Sequence, residues 1–316
     1  DCQVDLVARA VAVSADLLVL VLGSLPGSRL ADSRVGLFGA AFSAFAVLQI
    51  QIAHYFTVDT FLTLFMLLAM YLAVRVATSD FTVDRVVTDE DGTQHAVAFP
   101  DFRFVHFLLF GLALGMAVAS KVSAVFICLT LPLAVYVRLR RLPPEQRWDR
   151  RLARNGVIYL AVAAVFSFIV FRVFQPYAFN GPGFFGMTIN PHWIDTIKRL
   201  SEFVSGEVDW PPSIQWARRG VFFGAKNLIL WGVGLPMALM AGTGFVWLGL
   251  RMLRTPNAWL KHIVPWAWTL GFFVWQSLGF NPTMRYFLPI YPLIALYAGW
   301  CLVTLWDRYQ AREPRE

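Results

Sequence analysis

His54-Tyr-Phe-Thr-Val-Asp59-Thr-Phe61 sets an imidazole and a carboxylate between two apolar runs, residues 36–53 and 60–76. At about 1.5 Å per residue, each run crosses most of a hydrocarbon layer about 30 Å thick. The ionisable pair therefore belongs at a membrane surface, where one span ends and the next turns back. Asp59 falls in the first turn of the returning helix, with Thr57 in position to cap it. The dipole of a helix N-terminus favours the ionised carboxylate there. Such a group serves as a base or cation ligand, or simply as an interfacial cap, and the residues alone leave both readings open.

Outward from this turn, the composition is that of a membrane protein. Of 316 residues, 58% are hydrophobic, 16% aromatic and 15% charged, against an apolar share of about half in soluble domains. Apolar runs fall at 6–22, 36–53, 57–76, 103–119, 121–137, 154–173, 227–250, 263–280 and 285–306, about nine candidate spans in one transmembrane domain over residues 1–316. The expected class is an all-α polytopic membrane protein. The chain opens Asp1-Cys-Gln, without Met and without the basic-then-apolar pattern of a signal peptide, so it reads as a fragment of a longer protein. Cys2, Cys128 and Cys301 are scattered and suggest neither a disulfide framework nor a metal site.

The net charge of +7 invites a nucleic-acid partner, but its distribution argues for topology. Seven arginines lie between Arg138 and Arg154, and others at Arg29, Arg34, Arg75, Arg85, Arg103, Arg251, Arg254, Lys261, Arg308, Arg312 and Arg315. These 18 of the 27 Lys and Arg residues fall in alternate connections, which the positive-inside rule makes cytoplasmic. His54–Asp59, Lys121, Arg285 and the 174–226 connection then share the extracytoplasmic face.

Between the spans, residues 80–101 carry two β-prone runs around Asp89-Glu-Asp-Gly and predict a small cytoplasmic hairpin. The basic link 138–153 is read as topogenic, with a short interfacial helix as the alternative. The external loop 174–226 is long and rich in Pro, Gly and aromatic residues, the composition of an ordered loop lining a site. Gln175, Tyr177, Trp210, Gln215 and Arg218 are its candidate acceptor or loop contacts, and 192–205 is expected as an amphipathic helix on the surface. No internal repeat supports an inverted-repeat transporter.

Polar groups recur at the external ends of different spans: His54/Asp59, Ser120-Lys121, Arg172 with Gln175, and Asn281 through Arg285-Tyr286. Singly, Lys121, Arg172 and Arg285 read as snorkelling anchors. On one face together, with Tyr286, they would cradle an anionic head group. Arg9 and Asp16 share a face of the first span and are expected to pair. Gly232-Val-Gly234 reads as close helix packing inside a span, not as a phosphate loop. His106, His192 and His262 are taken as structural. No cofactor is certain. A divalent metal at Asp59 and His54 stays open, although a spacing of five does not share a helix face.

The run Gln49-Ile-Gln-Ile-Ala-His54-Tyr-Phe-Thr-Val-Asp59-Thr-Phe-Leu-Thr-Leu-Phe65, with Gly111-Leu-Ala-Leu-Gly-Met-Ala-Val-Ala-Ser-Lys121 and Met284-Arg-Tyr-Phe-Leu-Pro-Ile-Tyr-Pro-Leu293, resembles the family 39 glycosyltransferases. These are the protein mannosyltransferase and aminoarabinose transferase relatives, and Gln175-Pro-Tyr-Ala-Phe179 resembles bacterial members. The likeness implies a GT-C-like bundle in the cell inner membrane. It also implies inverting transfer of a sugar from a polyprenyl-phosphate carrier to an acceptor on the extracytoplasmic face. The family's principal carboxylate lies in the first external loop, a region expected upstream of Asp1, and neither Asp1 nor Asp5 stands in its acidic motif. Asp59 matches a second acidic position of the aminoarabinose branch, which implies that it orients the acceptor or contacts the donor head group. Lys121 and Arg285 would bind the donor phosphate. The competing expectation is a non-catalytic GT-C-like subunit that scaffolds protein partners in a membrane complex; a transporter ranks last, because beyond Asp16 the spans hold few polar groups.

Overall fold

A computed structural model describes residues 2–89, 91, 93–147, 149–181, 183–208 and 211–311. The chain begins with α1 (Cys2–Leu30), α2 (Ser33–Ala44), α3 (Val47–Ala53) and α4 (Val58–Ala77). A hairpin of β1 (Thr82–Thr88) and β2 (Gln94–Pro100) follows, then α5 (Phe104–Ser120), a 3₁₀ segment Val122–Leu129, α6 (Thr130–Arg141) and α7 (Arg150–Phe174). The long loop holds β3 (Phe179–Asn180), β4 (Thr188–Ile189), α8 (Pro191–Ser205) and α9 (Phe223–Asn227). The chain closes with α10 (Leu235–Arg254), α11 (Pro256–Trp259), α12 (Ile263–Leu278), a 3₁₀ turn Met284–Ile290 and α13 (Tyr291–Gln310).

Among the described residues, six helices are long and apolar enough to cross a membrane, or seven if α2 and α3 form one broken span. The expected nine runs therefore do not map one to one onto spans. The run 36–53 bends by 65° between α2 and α3, where Phe45 closes α2 with its N–H on Ala41 and Phe42. The run 121–137 starts as 3₁₀ helix, and α5, of 17 residues, is a shorter apolar helix. Gly232-Val-Gly234, expected inside a span, instead separates a π-helical turn Leu228–Gly232 from α10. Gly234 takes φ +81°, a left-handed conformation that glycine adopts without Cβ strain.

α4 and the span Met284–Gln310, which ends in α13, are the interior ones: 67% and 78% of their apolar windows are buried, against 22% for both α1 and α7. Exposed Val4, Leu6, Val7, Leu17 and Val21 on α1 are what a lipid-facing surface needs, since acyl chains are as apolar as these side chains and contact with them carries no hydrophobic penalty. α5 and α7 meet through Gly111 and Gly115, one helical turn apart. A Cβ at either would lie 2.6 Å from the backbone oxygen of Ala163 or Ser167, so only glycine lets the two backbones approach this closely.

The two ends of the bundle differ in charge. At the C-terminus of α4, Arg29 donates to the Thr78 carbonyl and hydroxyl at 2.8 and 3.0 Å, and Arg141 to the Ala77 carbonyl at 2.9 Å. These guanidinium groups satisfy carbonyls that the last helical turn leaves unpaired. Asp59 opens the same helix, about 30 Å away for 20 residues. The basic residues and the His54–Asp59 turn are therefore at opposite ends, as the charge pattern predicts.

The hairpin forms with Thr82 opposite Pro100 and Thr88 opposite Gln94, and Arg85 ties it to the start of α7 through Asp149 at 3.0 Å. Over 138–153 the described residues form the end of α6, a turn and the start of α7, with no separate interfacial helix. The expected Arg9–Asp16 pair does not form. Asp16 accepts from the Gln49 amide at 3.0 Å, and Gln49 in turn accepts from the Ser43 hydroxyl at 2.8 Å. A polar network across the α2–α3 break thus takes the carboxylate that helix periodicity assigned to Arg9.

Candidate functional site

Three chain segments far apart in sequence converge on Asp59. It lies in the first turn of α4 with its side chain 4% exposed. Arg285, in the 3₁₀ turn that leads into α13, places Nε 3.2 Å from Asp59 Oδ2. Lys121, at the junction between α5 and the following 3₁₀ segment, places Nζ 3.8 Å from Oδ1. The Lys121 ammonium also sits 4.0 Å from the centroid of the Tyr286 ring, within cation–π range. Each carboxylate oxygen therefore faces its own cation.

Local structure explains the convergence. Thr57 occupies the N-cap position of α4 in extended conformation, but its side chain makes no capping bond, contrary to expectation. The α4 N-terminus thus keeps its partial positive charge, which adds to Lys121 and Arg285 in stabilising an ionised Asp59. The extended backbone of Lys121, φ −157° and ψ 122°, breaks α5 and turns the side chain out of the helical ladder. Burial pushes the Lys121 ammonium below its ordinary value, and Asp59 partly restores it.

The cluster carries one negative and two positive charges. Its cations stay partly open, Lys121 34% and Arg285 48% exposed along the side chain, while the carboxylate is enclosed. A buried carboxylate with two outward cations presents a cationic surface, which suits an anionic oxygen group. Four side-chain oxygens at this end, those of Thr57, Thr60, Ser277 and Asn281, are buried without a protein partner, an uncommon concentration of unpaired polar atoms. Thr60 and Ser277 escaped the sequence reading; each is a lone hydroxyl at the edge of an apolar run.

His54 is exposed and turns Nδ1 to the Ile50 carbonyl at 2.7 Å. A carbonyl only accepts, so Nδ1 is the donor in this contact and Nε2 is left free of it. His54 makes no ion pair with Asp59. With Asp59 already between two cations, these residues do not fit a divalent ion at this turn. Among the described residues, no group of three or more His, Cys, Asp or Glu is arranged for a metal.

Arg172 is the candidate that the structure sends elsewhere. It is buried in the last turn of α7, donates to the Gly183 carbonyl at 2.9 Å, and lies 4.9 and 5.7 Å from the rings of Phe179 and Phe184. All its recorded partners belong to the loop, which it anchors. Gln175 ends α7, and Tyr177 is exposed with its carbonyl held by the Asn190 amide at 2.9 Å. Asn190 also caps α8 by accepting from the His192 N–H at 3.0 Å. The capped helix lies on the surface with no buried residue, as its amphipathic pattern predicts. Gln215 and Arg218 are exposed in and just after a 3₁₀ turn, Pro211–Trp216, with the Gln215 amide on the Pro212 carbonyl at 2.8 Å. Trp210 lies outside the described residues.

The family model described as dolichyl-phosphate-mannose-protein mannosyltransferase matches residues 7–180. Among solved structures, the chain is similar to ArnT from Cupriavidus metallidurans bound to undecaprenyl phosphate, with TM-score 0.57 and 21% identity over 96% of this chain and 47% of that one. It is also similar to the Archaeoglobus fulgidus oligosaccharyltransferase in the apo form, with TM-score 0.54 and 13% identity over 96% of this chain and 40% of that one. The archaeal enzyme AglB in complex with an inhibitory peptide and a dolichol-phosphate gives TM-score 0.53 at the same identity and coverage. The chain spans about half the length, or less, of these structures, and at such identities the likeness is one of fold. No curated protein sequence matches it.

Proposed function

The chain belongs to the dolichyl-phosphate-mannose-protein mannosyltransferase family, and from that premise we propose that it moves a sugar from a polyprenyl-phosphate carrier to an acceptor hydroxyl on the extracytoplasmic face, with inversion. The observation that carries the proposal is the Asp59 cluster: two partly open cations held by one enclosed carboxylate, at the end of the bundle away from the basic connections. The lipid phosphate is the leaving group of such a transfer. Its developing charge needs preorganised cations and no strong general acid.

In this reading Lys121 and Arg285 hold the phosphate oxygens. Asp59 is a positioning residue: it aims both cations and keeps their mutual repulsion in check. Tyr286 supports the Lys121 ammonium through its ring face. Arg172 contributes by ordering the loop. His54, with Nε2 available, is the candidate on the acceptor side. Two of the similar structures favour the same carrier class, since one is bound to undecaprenyl phosphate and another is in complex with a dolichol-phosphate.

The test uses the purified full-length protein. Undecaprenyl phosphate binding and transfer from a labelled polyprenyl-phosphate-mannose are measured for the native chain, Lys121→Ala and Arg285→Ala. Losing a charge-assisted hydrogen bond to phosphate weakens binding by about 10- to 100-fold, so each variant is expected to show that loss at unchanged expression. Native binding and transfer in both variants would remove the proposed site.

A further inference from the structure

At the basic end of the bundle, α10 and α13 bring two arginines onto one indole. Arg251 Cζ lies 5.3, 4.7 and 5.5 Å from the ring centroids of Trp247, Trp259 and Trp300. Arg308 Cζ lies 4.1 Å from the ring of Trp247. Sharing that ring keeps the two guanidinium groups within about 10 Å, one Debye length at 0.1 M salt. Like charges so placed repel unless an anion joins them.

The described carboxylates beside the pair, Asp32 and Asp307, are committed elsewhere. Asp307 holds Arg34 through both oxygens, at 2.7 and 3.0 Å. Asp32 accepts from Arg34 at 2.9 Å and caps α2 by accepting from the Val35 N–H at 3.1 Å. Among the described residues, neither the Arg251 nor the Arg308 guanidinium has a hydrogen bond or an ion pair. Tryptophan faces cover a guanidinium plane but leave its edge N–H donors for an oxygen ligand. Beside the pair lies a cavity of about 400 Å³ whose lining includes Asp32, Arg251, Trp259, Trp300, Thr304 and Arg308.

We propose that this cavity holds the phosphate of an anionic phospholipid from the leaflet at the basic end, with Arg251 and Arg308 as its donors. A lipid is favoured over a free anion by what surrounds the arginines. Tryptophans mark the level of the headgroups. Leu250, Leu253, Leu305 and Trp306 on the same two helix ends are exposed by 44%, 80%, 51% and 55%, which puts apolar surface for acyl chains at the level of the cavity. Basic pockets between helices at this depth recognise phosphate headgroups by charge. The site lies at the other end of the bundle from Asp59 and does not depend on the transfer reaction.

The experiment titrates the purified full-length protein in neutral detergent with phosphatidylglycerol, phosphatidylcholine or inorganic phosphate. Lipids retained are counted by native mass spectrometry, and the unfolding temperature is followed in parallel. The native chain is expected to retain one phosphatidylglycerol at about tenfold lower concentration than phosphatidylcholine. Arg251→Gln/Arg308→Gln abolishes that preference, whereas Arg140→Gln/Arg150→Gln, which removes two exposed arginines outside the cavity, leaves it intact. If the first double variant fails to fold, Arg308→Gln alone, a change at an exposed residue, still reduces the preference severalfold. An unchanged preference in the Arg308 variant, or equal loss in the control pair, overturns the proposal. Protection by inorganic phosphate equal to that by phosphatidylglycerol overturns the lipid assignment.

Discussion

Asp59 illustrates how a buried charge is tolerated. Enclosing a carboxylate costs several kcal/mol unless opposite charges and dipoles replace its water. Here Arg285, Lys121 and an uncapped helix N-terminus do so. Removing the negative charge leaves the two cations facing each other across a neutral amide. Asp59→Asn is therefore expected to destabilise the fold by about 1–3 kcal/mol and to weaken lipid-phosphate binding by displacing both cations. Thermal unfolding in detergent together with undecaprenyl phosphate titration checks this; an Asp59→Asn protein with native stability and affinity would show that the carboxylate positions nothing. Asp59, Lys121 and Arg285 were each legible in the sequence as ionisable groups at span ends, but Arg172 fitted the same pattern and went to the loop. Chain position shows that a group lies at the surface level. Which neighbour it meets there depends on the fold: Asp59 meets segments more than 60 residues away, whereas Arg172 meets the loop 7 to 12 residues on.

Two elements carry predictions of their own. The α5–α7 contact rests on Gly111 and Gly115, where a Cβ would press on the backbone of α7. Gly115→Val forces the helices apart and is expected to cost about 1–3 kcal/mol, read as a lowered unfolding temperature with expression retained. The sequence reading did not single out this glycine pair; the close approach of α5 and α7 supplies its reason. The hairpin is held by Arg85, which bonds Asp149 and lies 4.7 Å from the Phe99 ring. That hydrogen bond, with the Leu152 N–H, holds the Asp149 carboxyl below its ordinary value of 3.8. A carboxyl lowered by folding stabilises the folded state above the unfolded value, and this contribution is lost as pH falls through the folded one. Asp149 is partly exposed, so the contribution is at most about 1 kcal/mol. Hydrogen exchange of residues 82–100, corrected for intrinsic rates, is expected to lose protection between pH 5 and pH 3. Arg85→Gln should lower protection at pH 5 and remove most of the further loss; an identical pH response in that variant would sink the account.

For the whole molecule, the asymmetry of charge makes a statement about orientation. Val86 on the hairpin and Phe185 in the long loop are 69% and 87% exposed and are assigned to opposite faces by the positive-inside rule. In intact cells a membrane-impermeant maleimide should label Phe185→Cys from outside, and Val86→Cys only after permeabilisation. Labelling of both from one side would reverse or break the topology. With Cys2 replaced by Ser in both variants, the native Cys128 and Cys301, which lie within helical segments, half-buried and buried, make a low background.

By itself the sequence determined what local physics controls. Apolar run length set the membrane class, arginine distribution separated the two ends, β-prone runs around a turn made the hairpin, and an amphipathic repeat made α8. Each of these is read along the chain, from run length, spacing and the placing of charges, without knowing which segments pack together. Tertiary structure alone decided where the 36–53 run bends, that Gln49 rather than Arg9 serves Asp16, and that Arg172 braces a loop. It also decided that α4, the α5 break and the turn before α13 meet at Asp59. Such choices follow from packing helices that are distant in sequence, where close backbone approach and the pairing of buried charges select one arrangement among many that share the same hydropathy.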